Sequence, residues 1–91
     1  MGKFKLGQVV MTTGVNDLVA ENTEFAKGVI VSLKRFVDCD WGDLCGDDKA
    51  MNEEALVEGE RLFARYKINP DIYIITERDR SVTTVLFPDE Y

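Results

Sequence analysis

The first half of the chain contains a short apolar run and then apolar residues that recur at the period of a helix. Residues 8–12 form a β-branched, apolar run, which predicts a strand. Thr13 is suited to cap a short helix over residues 15–21, and Thr23 a longer helix after it. The apolar stripe of the longer helix comprises Phe25, Ala26, Val29, Ile30, Leu33, Phe36 and Val37.

The second half of the chain predicts a third helix over residues 48–66, capped by Asp47 or Asp48. Its buried stripe comprises Met51, Ala55, Leu56, Gly59, Leu62, Phe63 and Tyr66. Gly59 inside that helix would permit the close approach of another backbone. Three bases near its end, Arg61, Arg65 and Lys67, would interact favourably with the helix dipole.

A β-hairpin is predicted after the third helix. Two β-rich runs, residues 71–76 and 81–87, flank a charged turn at residues 77–80, which we expect to be solvated. The element order β-α-α-α-β-β favours an α+β fold, with a three-stranded antiparallel sheet and the helices packed on one face. A chain of 91 residues is long enough for one core, so residues 1–91 are expected to form a single domain.

The composition is that of a globular protein outside the membrane. Hydrophobic residues make up 45% of the chain. No apolar run approaches the ~20 residues of a membrane span, and the apolar region of a signal peptide is not found. We therefore expect a cytoplasmic protein, in which Cys39 and Cys45 are reduced thiols.

The net charge of −6 is concentrated in residues 38–60, called the acidic segment below. This segment contains nine acids and one base, Lys49, so it carries −8, whereas the rest has eight acids and ten bases and carries +2. Such acidity opposes direct binding to nucleic acid and favours a basic protein partner. The simpler interpretation is a solvated helix face that only keeps the protein soluble.

The candidate partner-binding residues lie in the acidic segment. Trp41, the only tryptophan, either anchors its loop in the core or, if exposed, forms an interface hot spot. The full candidate site comprises Asp38, Asp40, Trp41, Asp43, Asp47, Asp48, Glu53, Glu54 and Glu58.

Enzymatic and metal chemistry are not indicated. The chain has no histidine, so it lacks a Ser-His or Cys-His pair and the usual completion of a zinc site. Residues 38–43 are similar to the start of a calcium loop, but Gly42, Asp43 and Lys49 occupy the places of a ligand, a glycine and a glutamate. Acidic neighbours would raise the pKa of Cys39 and thereby reduce its reactivity as a nucleophile. We therefore expect no enzyme, no cofactor and no metal.

Three runs of sequence are characteristic when taken together. They read MTTGVNDL at residues 11–18, DWGDL at residues 40–44 and IITERDRSVTTVLFP at residues 74–88. These runs resemble a family of small proteins from plasmids, phages and other mobile elements of Firmicutes, and the resemblance extends over residues 11–91. The resemblance implies no catalytic residues. It implies a setting in which small acidic proteins commonly protect the element by occupying the nucleic-acid groove of a nuclease complex.

The resulting functional prediction is an inhibitor of host defence, of the anti-CRISPR or anti-restriction kind. Its acidic surface would imitate nucleic acid and bind a basic groove of a CRISPR or restriction nuclease complex. The alternative is a small regulatory or structural homodimer without mimicry. That dimer would associate through the apolar outer face of the hairpin, including Tyr73 and Ile75.

Overall fold

The structure is a computed structural model that describes residues 3–91. It contains three helices and one four-stranded sheet, which confirms the predicted α+β class. The elements are β1 Gln8–Met11, α1 Thr13–Glu21, α2 Thr23–Val37, α3 Gly46–Glu58, β2 Leu62–Tyr66, β3 Ile72–Thr76 and β4 Val82–Leu86. Within residues 3–91, no helix combines the length and the apolar character that a membrane crossing requires.

Polar side chains cap the first two helices. Thr12 Oγ1 accepts a hydrogen bond from the Val15 N–H, and Asn22 Oδ1 accepts one from the Phe25 N–H at 3.1 Å. Each bond satisfies a backbone donor that has no partner inside its helix. Both caps lie one residue before the predicted threonines, which are instead the first residues of the helices.

One side of α2 is buried, and its residues follow the helical repeat. They are Phe25, Val29, Ser32 and Phe36. Ile30, which the predicted stripe included, is exposed, because it lies about 100° around the helix from Val29. The predicted helix is therefore confirmed, but its buried stripe is narrower than the sequence indicated.

The third predicted helix is wrong beyond Glu58. Gly59 has φ 73°, in the left-handed region that favours glycine. The Glu60 N–H donates to the Ala55 carbonyl at 2.8 Å, which is the closing bond of a Schellman C-cap. Gly59 thus ends α3, and no atom lies within 4 Å of a Cβ built there, so the predicted close approach of a second backbone is also wrong.

Residues 62–66 form a strand instead of the last turns of that helix. The buried residues of β2 alternate: Leu62, Ala64 and Tyr66. Leu62 and Tyr66 are compatible with both the strand period and the helix period, so the apolar pattern alone did not separate the two. Arg65 and Lys67 consequently lie in β2 and directly after it, away from any helix terminus.

The predicted three-stranded antiparallel sheet is wrong in strand number and direction. The sheet has four strands in the order β1-β4-β3-β2. β2, β3 and β4 form an antiparallel meander, and β1 pairs in parallel with β4. The three helices carry the chain from β1 across to the opposite edge of the sheet, and the meander then returns it to β1.

The main core lies between the helices and one face of the sheet. Its buried residues are Val15, Phe25, Val29, Phe36, Trp41, Leu62, Ala64, Tyr66, Ile72, Ile74 and Val85. The opposite face is also covered in part, because the Tyr91 ring centroid lies 5.8 Å from those of Phe63 and Tyr73. Ile75 on that face is only 3% exposed. Ile75, which the homodimer alternative placed on its contact surface, is therefore buried within the fold, whereas Tyr73 is partly exposed.

Candidate functional site

α3 begins inside the acidic segment and carries most of its carboxylates. Its N-cap residue is Cys45, so the predicted caps, Asp47 and Asp48, lie in the first helical turn. Carboxylates in that turn interact favourably with the positive end of the helix dipole. The Cys45 thiol donates a hydrogen bond to Asp48 Oδ2 at 3.3 Å.

A buried side chain fixes α3 to the free edge of β2. The Asn52 amide donates to the Phe63 carbonyl and accepts from the Phe63 N–H at 3.1 Å. Both backbone groups of a strand residue point to the same edge, so Phe63 presents them away from β3. Asn52 therefore takes the place of a neighbouring strand at this position.

The loop before α3 closes the rest of the same edge. Gly42 forms a parallel bridge with Arg65, and the Asp43 N–H donates to the Arg65 carbonyl at 2.8 Å. The Asp43 carboxylate accepts from the Lys67 N–H at 3.0 Å. These bonds satisfy backbone groups that would otherwise form an open template for another strand.

The turn between β3 and β4 holds the other end of α3. The Arg80 guanidinium donates to the Glu60 carbonyl at 2.7 Å and to the Ala55 carbonyl at 3.5 Å. A cation stabilises the C-terminal end of a helix, and the last turn of α3 has no basic residue of its own. The prediction of a merely solvated turn at residues 77–80 is therefore wrong for Arg80.

Besides Asp48, three of the candidate acids are engaged in contacts within the fold. Asp40 pairs with Arg35, with 2.8 Å between the Arg35 Nε and the carboxylate. Asp43 closes the edge of β2, and Glu53 accepts a hydrogen bond from the Trp41 indole. These three acids position the acidic segment and are not free for a partner.

The ion pair between Arg35 and Asp40 changes the acidity of both groups. The hydrogen bond from Arg35 lowers the pKa of Asp40, and the same contact raises the pKa of Arg35. Both side chains are about half exposed, so the pair contributes at most ~1 kcal/mol to stability.

Trp41 is buried, which confirms its interpretation as a loop anchor. Its ring centroid lies 5.6 Å from that of Phe36 and 6.2 Å from that of Phe4. With its indole N–H bonded to Glu53, the side chain offers nothing to a partner. Trp41 is therefore removed from the candidate surface.

The remaining candidate acids are exposed, and most of them lie together on α3. In the part of the chain that the structure describes, Asp38, Asp47, Glu54 and Glu58 form no side-chain hydrogen bond or ion pair. Asp47, Glu54 and Glu58 are seven and four residues apart, so they project from the same side of α3. With Asp48 they form the acidic face of α3, whereas Asp38 lies outside that helix.

Neither cysteine forms a disulfide, and both are free thiols. Burial, and to a smaller extent the charge of Glu53, raises the pKa of Cys39. The predicted direction is confirmed, with burial as the larger cause. Among residues 3–91, no group of three or more Cys, Asp or Glu side chains is arranged to hold a metal ion.

Sequence reasoning missed the residues that hold α3 in place, namely Gly42, Asn52 and Arg80. One of them left a signal in the sequence. Asn52 precedes Ala55 and Leu56 by three and four residues, so it lies on the apolar side of the helix, where a polar group needs a specific partner. The strand and helix-end partners of Gly42 and Arg80 lie twenty or more residues away in the chain and left no local pattern.

The fold and site define an α+β protein in which an acidic helix is braced along the edge of a mixed sheet. No family model matches the chain, and neither curated proteins nor solved structures provide a match.

The environment of Tyr66 predicts a loss of stability at high pH. Its hydroxyl donates to the Asp40 carbonyl at 2.6 Å, and burial raises the pKa of Tyr66. The unfolded chain loses this proton from about pH 10 upward while the folded chain retains it, so stability is complete below about pH 10 and falls above it. We expect a slope of up to ~1.4 kcal/mol per pH unit in wild type and a shallower slope in Tyr66→Phe, measured by urea denaturation. Equal slopes in wild type and Tyr66→Phe would show that Tyr66 does not cause this loss of stability.

Proposed function

We propose that this protein binds a basic surface of a protein partner through the acidic face of α3. The partner is a nuclease complex of host defence, of the CRISPR or restriction kind, and binding inhibits it by occupying its nucleic-acid groove. The observation that carries the proposal is the acidic face itself, in which Asp47, Glu54 and Glu58 are exposed and free of intramolecular ion pairs within residues 3–91.

The contacts that fix α3 to the rest of the fold support a binding role for these acids. Asn52 fixes the helix to β2, and Arg80 holds its C-terminal end. Carboxylates on a helix that is already ordered lose less conformational entropy on binding than carboxylates on a mobile loop. Their long-range attraction for a positive surface also raises the association rate.

The charge density of α3 indicates what kind of nucleic acid it replaces. The helix has 13 residues and therefore a length of about 20 Å. It carries five acids and one lysine, a net charge of −4, or about one charge per 5 Å. A duplex carries one charge per about 1.7 Å and each of its strands one per about 3.4 Å. α3 is thus closer to a short stretch of one strand, and we propose a groove that holds a single strand.

The resemblance to small proteins of mobile elements supports the choice of partner class. Small acidic proteins in that setting often protect the element against host defence. The charge distribution agrees with this role, because the whole negative excess of the chain lies in residues 38–60, and the net charge of −6 opposes binding to nucleic acid itself.

Charge reversal on α3 tests the proposal. The triple variant Asp47→Lys, Glu54→Lys, Glu58→Lys is expected to lose capture of its partner from host lysate, which wild type should retain at 0.1 M salt and release at 1 M. Retained protein should also be displaced by added single-stranded DNA, since both would compete for one groove. Capture and mass spectrometry measure the first result, and elution by DNA the second.

The matched control reverses three acids outside the acidic segment: Asp17→Lys, Glu21→Lys and Glu24→Lys. Both triple variants have the same net charge, so a difference between them reports the position of the charges. Circular dichroism verifies that each variant is folded. Equal capture by the two variants, or partner retained in the presence of DNA, would overturn the proposal.

A further inference from the structure

A groove runs between α3 and the outer face of the sheet. It has a volume of about 490 Å³, within the range of about 300–1,000 Å³ typical of ligand sites. The apolar residues that line it include Met51, Phe63 and Tyr91. Four acids also line it: Asp48, Glu54, Glu58 and Glu60. The acidic face of α3 is therefore continuous with an apolar surface.

Two of the apolar lining residues are unusually exposed for their type. Met51 is 66% exposed and Tyr91 is 68% exposed. Methionine adapts its shape to irregular surfaces, and tyrosine is enriched at interfaces. Apolar side chains that remain exposed beside one another indicate a surface to which a partner binds.

A cation already lies against the aromatic part of the groove. The Arg61 guanidinium carbon is 5.7 Å from the centroid of the Tyr91 ring, close enough for a cation–π interaction. The Tyr91 ring therefore presents its face to a guanidinium. Arg61 is the single base among the lining residues, which also include four acids, so the groove has an excess of negative charge.

We infer that the groove binds an arginine side chain from a basic segment of the protein partner. The guanidinium of that arginine lies over the Tyr91 ring, replaces Arg61 there, and pairs with Glu54 or Glu58. An apolar residue next to it in the partner packs on Met51. Arginine suits this site better than lysine, because its planar group both stacks on aromatic rings and pairs with carboxylates. The inference rests on the proposed function and names the chemistry by which the partner is recognised.

A pair of synthetic peptides tests the groove. One contains two arginines flanking a leucine, and the other has lysine at both positions. Calorimetry should show that the arginine peptide binds about fivefold more tightly. Tyr91→Leu should reduce that preference while Tyr91→Phe retains it, since the guanidinium needs an aromatic ring on which to stack. Val57→Ala is the control, because Val57 is 85% exposed on α3 and outside the lining of the groove.

Arg61→Ala provides a test whose expected result, tighter binding, cannot arise from unfolding of the variant. Removing the competing cation frees the Tyr91 ring, so the arginine peptide should bind about threefold more tightly to this variant. The inference that the groove binds arginine would be overturned if the two peptides bound wild type with equal affinity. It would also be overturned if the arginine peptide bound Arg61→Ala more weakly than wild type. If the α3 charge reversal abolishes partner capture while Tyr91→Leu does not alter it, the inference about the groove is wrong and the proposed function stands. If the charge reversal has no effect, the proposed function fails.

Discussion

Gly42→Ala is expected to reduce the free energy of unfolding by about 3–4 kcal/mol. Gly42 has φ 72°, and a Cβ at this position would overlap the carbonyl oxygen of Arg65, which belongs to the backbone of β2 and moves only if the strand moves. Relieving that overlap separates the loop from β2 and breaks the bond from the Asp43 N–H to the Arg65 carbonyl. Urea denaturation at 25 °C measures the loss.

Gly59→Ala is the matched control for this prediction. Gly59 has φ 73°, nearly the same as Gly42, but no atom lies within 4 Å of a Cβ built there. Its replacement should therefore cost only the left-handed strain, about 1–2 kcal/mol. The difference between the two variants isolates the close approach at Gly42, and equal losses would show that the approach has no energetic consequence.

Asn52→Ala is expected to cost about 2–3 kcal/mol. The substitution leaves the N–H and the carbonyl of Phe63 without the partners that they have in the folded protein. It also removes the only side chain of α3 that bonds to the backbone of β2 within residues 3–91. Chemical denaturation measures the loss, and hydrogen exchange at the Phe63 amide should accelerate by a corresponding factor.

Two further variants define what Asn52 contributes. Asn16→Ala makes the same chemical change at an exposed position of α1 and should alter stability by less than about 0.5 kcal/mol. Asn52→Asp retains an acceptor for the Phe63 N–H but loses the donor to the Phe63 carbonyl. It should therefore be destabilised as well, which shows that both bonds matter. A loss in Asn52→Ala no larger than in Asn16→Ala would contradict this account of the edge.

Gly42 and Asn52 connect stability with the proposed function. Both hold structure to the free edge of β2: Gly42 the loop that precedes α3, and Asn52 the helix itself. A variant that detaches α3 leaves every acid in the sequence but no longer displays those acids from an ordered helix. Loss of partner binding in such a variant would therefore come from the loss of preorganisation, with no change in net charge.

The sequence determined the elements whose signals are local. β1, α1, α2 and the hairpin were predicted close to their observed bounds, because strand and helix periods, polar caps and a turn all act within a few residues. The α+β class follows from those elements alone. The region from Gly59 to Tyr66 was misassigned, since its apolar residues suit either period and a glycine is tolerated in a helix as well as at its end.

The sequence by itself also located the acidity in residues 38–60, because charge is a property of composition. Only the tertiary structure decided which of those acids are free. Asp40, Asp43 and Glu53 are engaged within the fold, whereas Asp47, Glu54 and Glu58 face solvent from one side of α3. The physical reason is distance along the chain. The contacts that anchor α3 join residues 11 to 25 positions apart, and the groove brings Met51 beside Tyr91, so no local pattern encodes either arrangement.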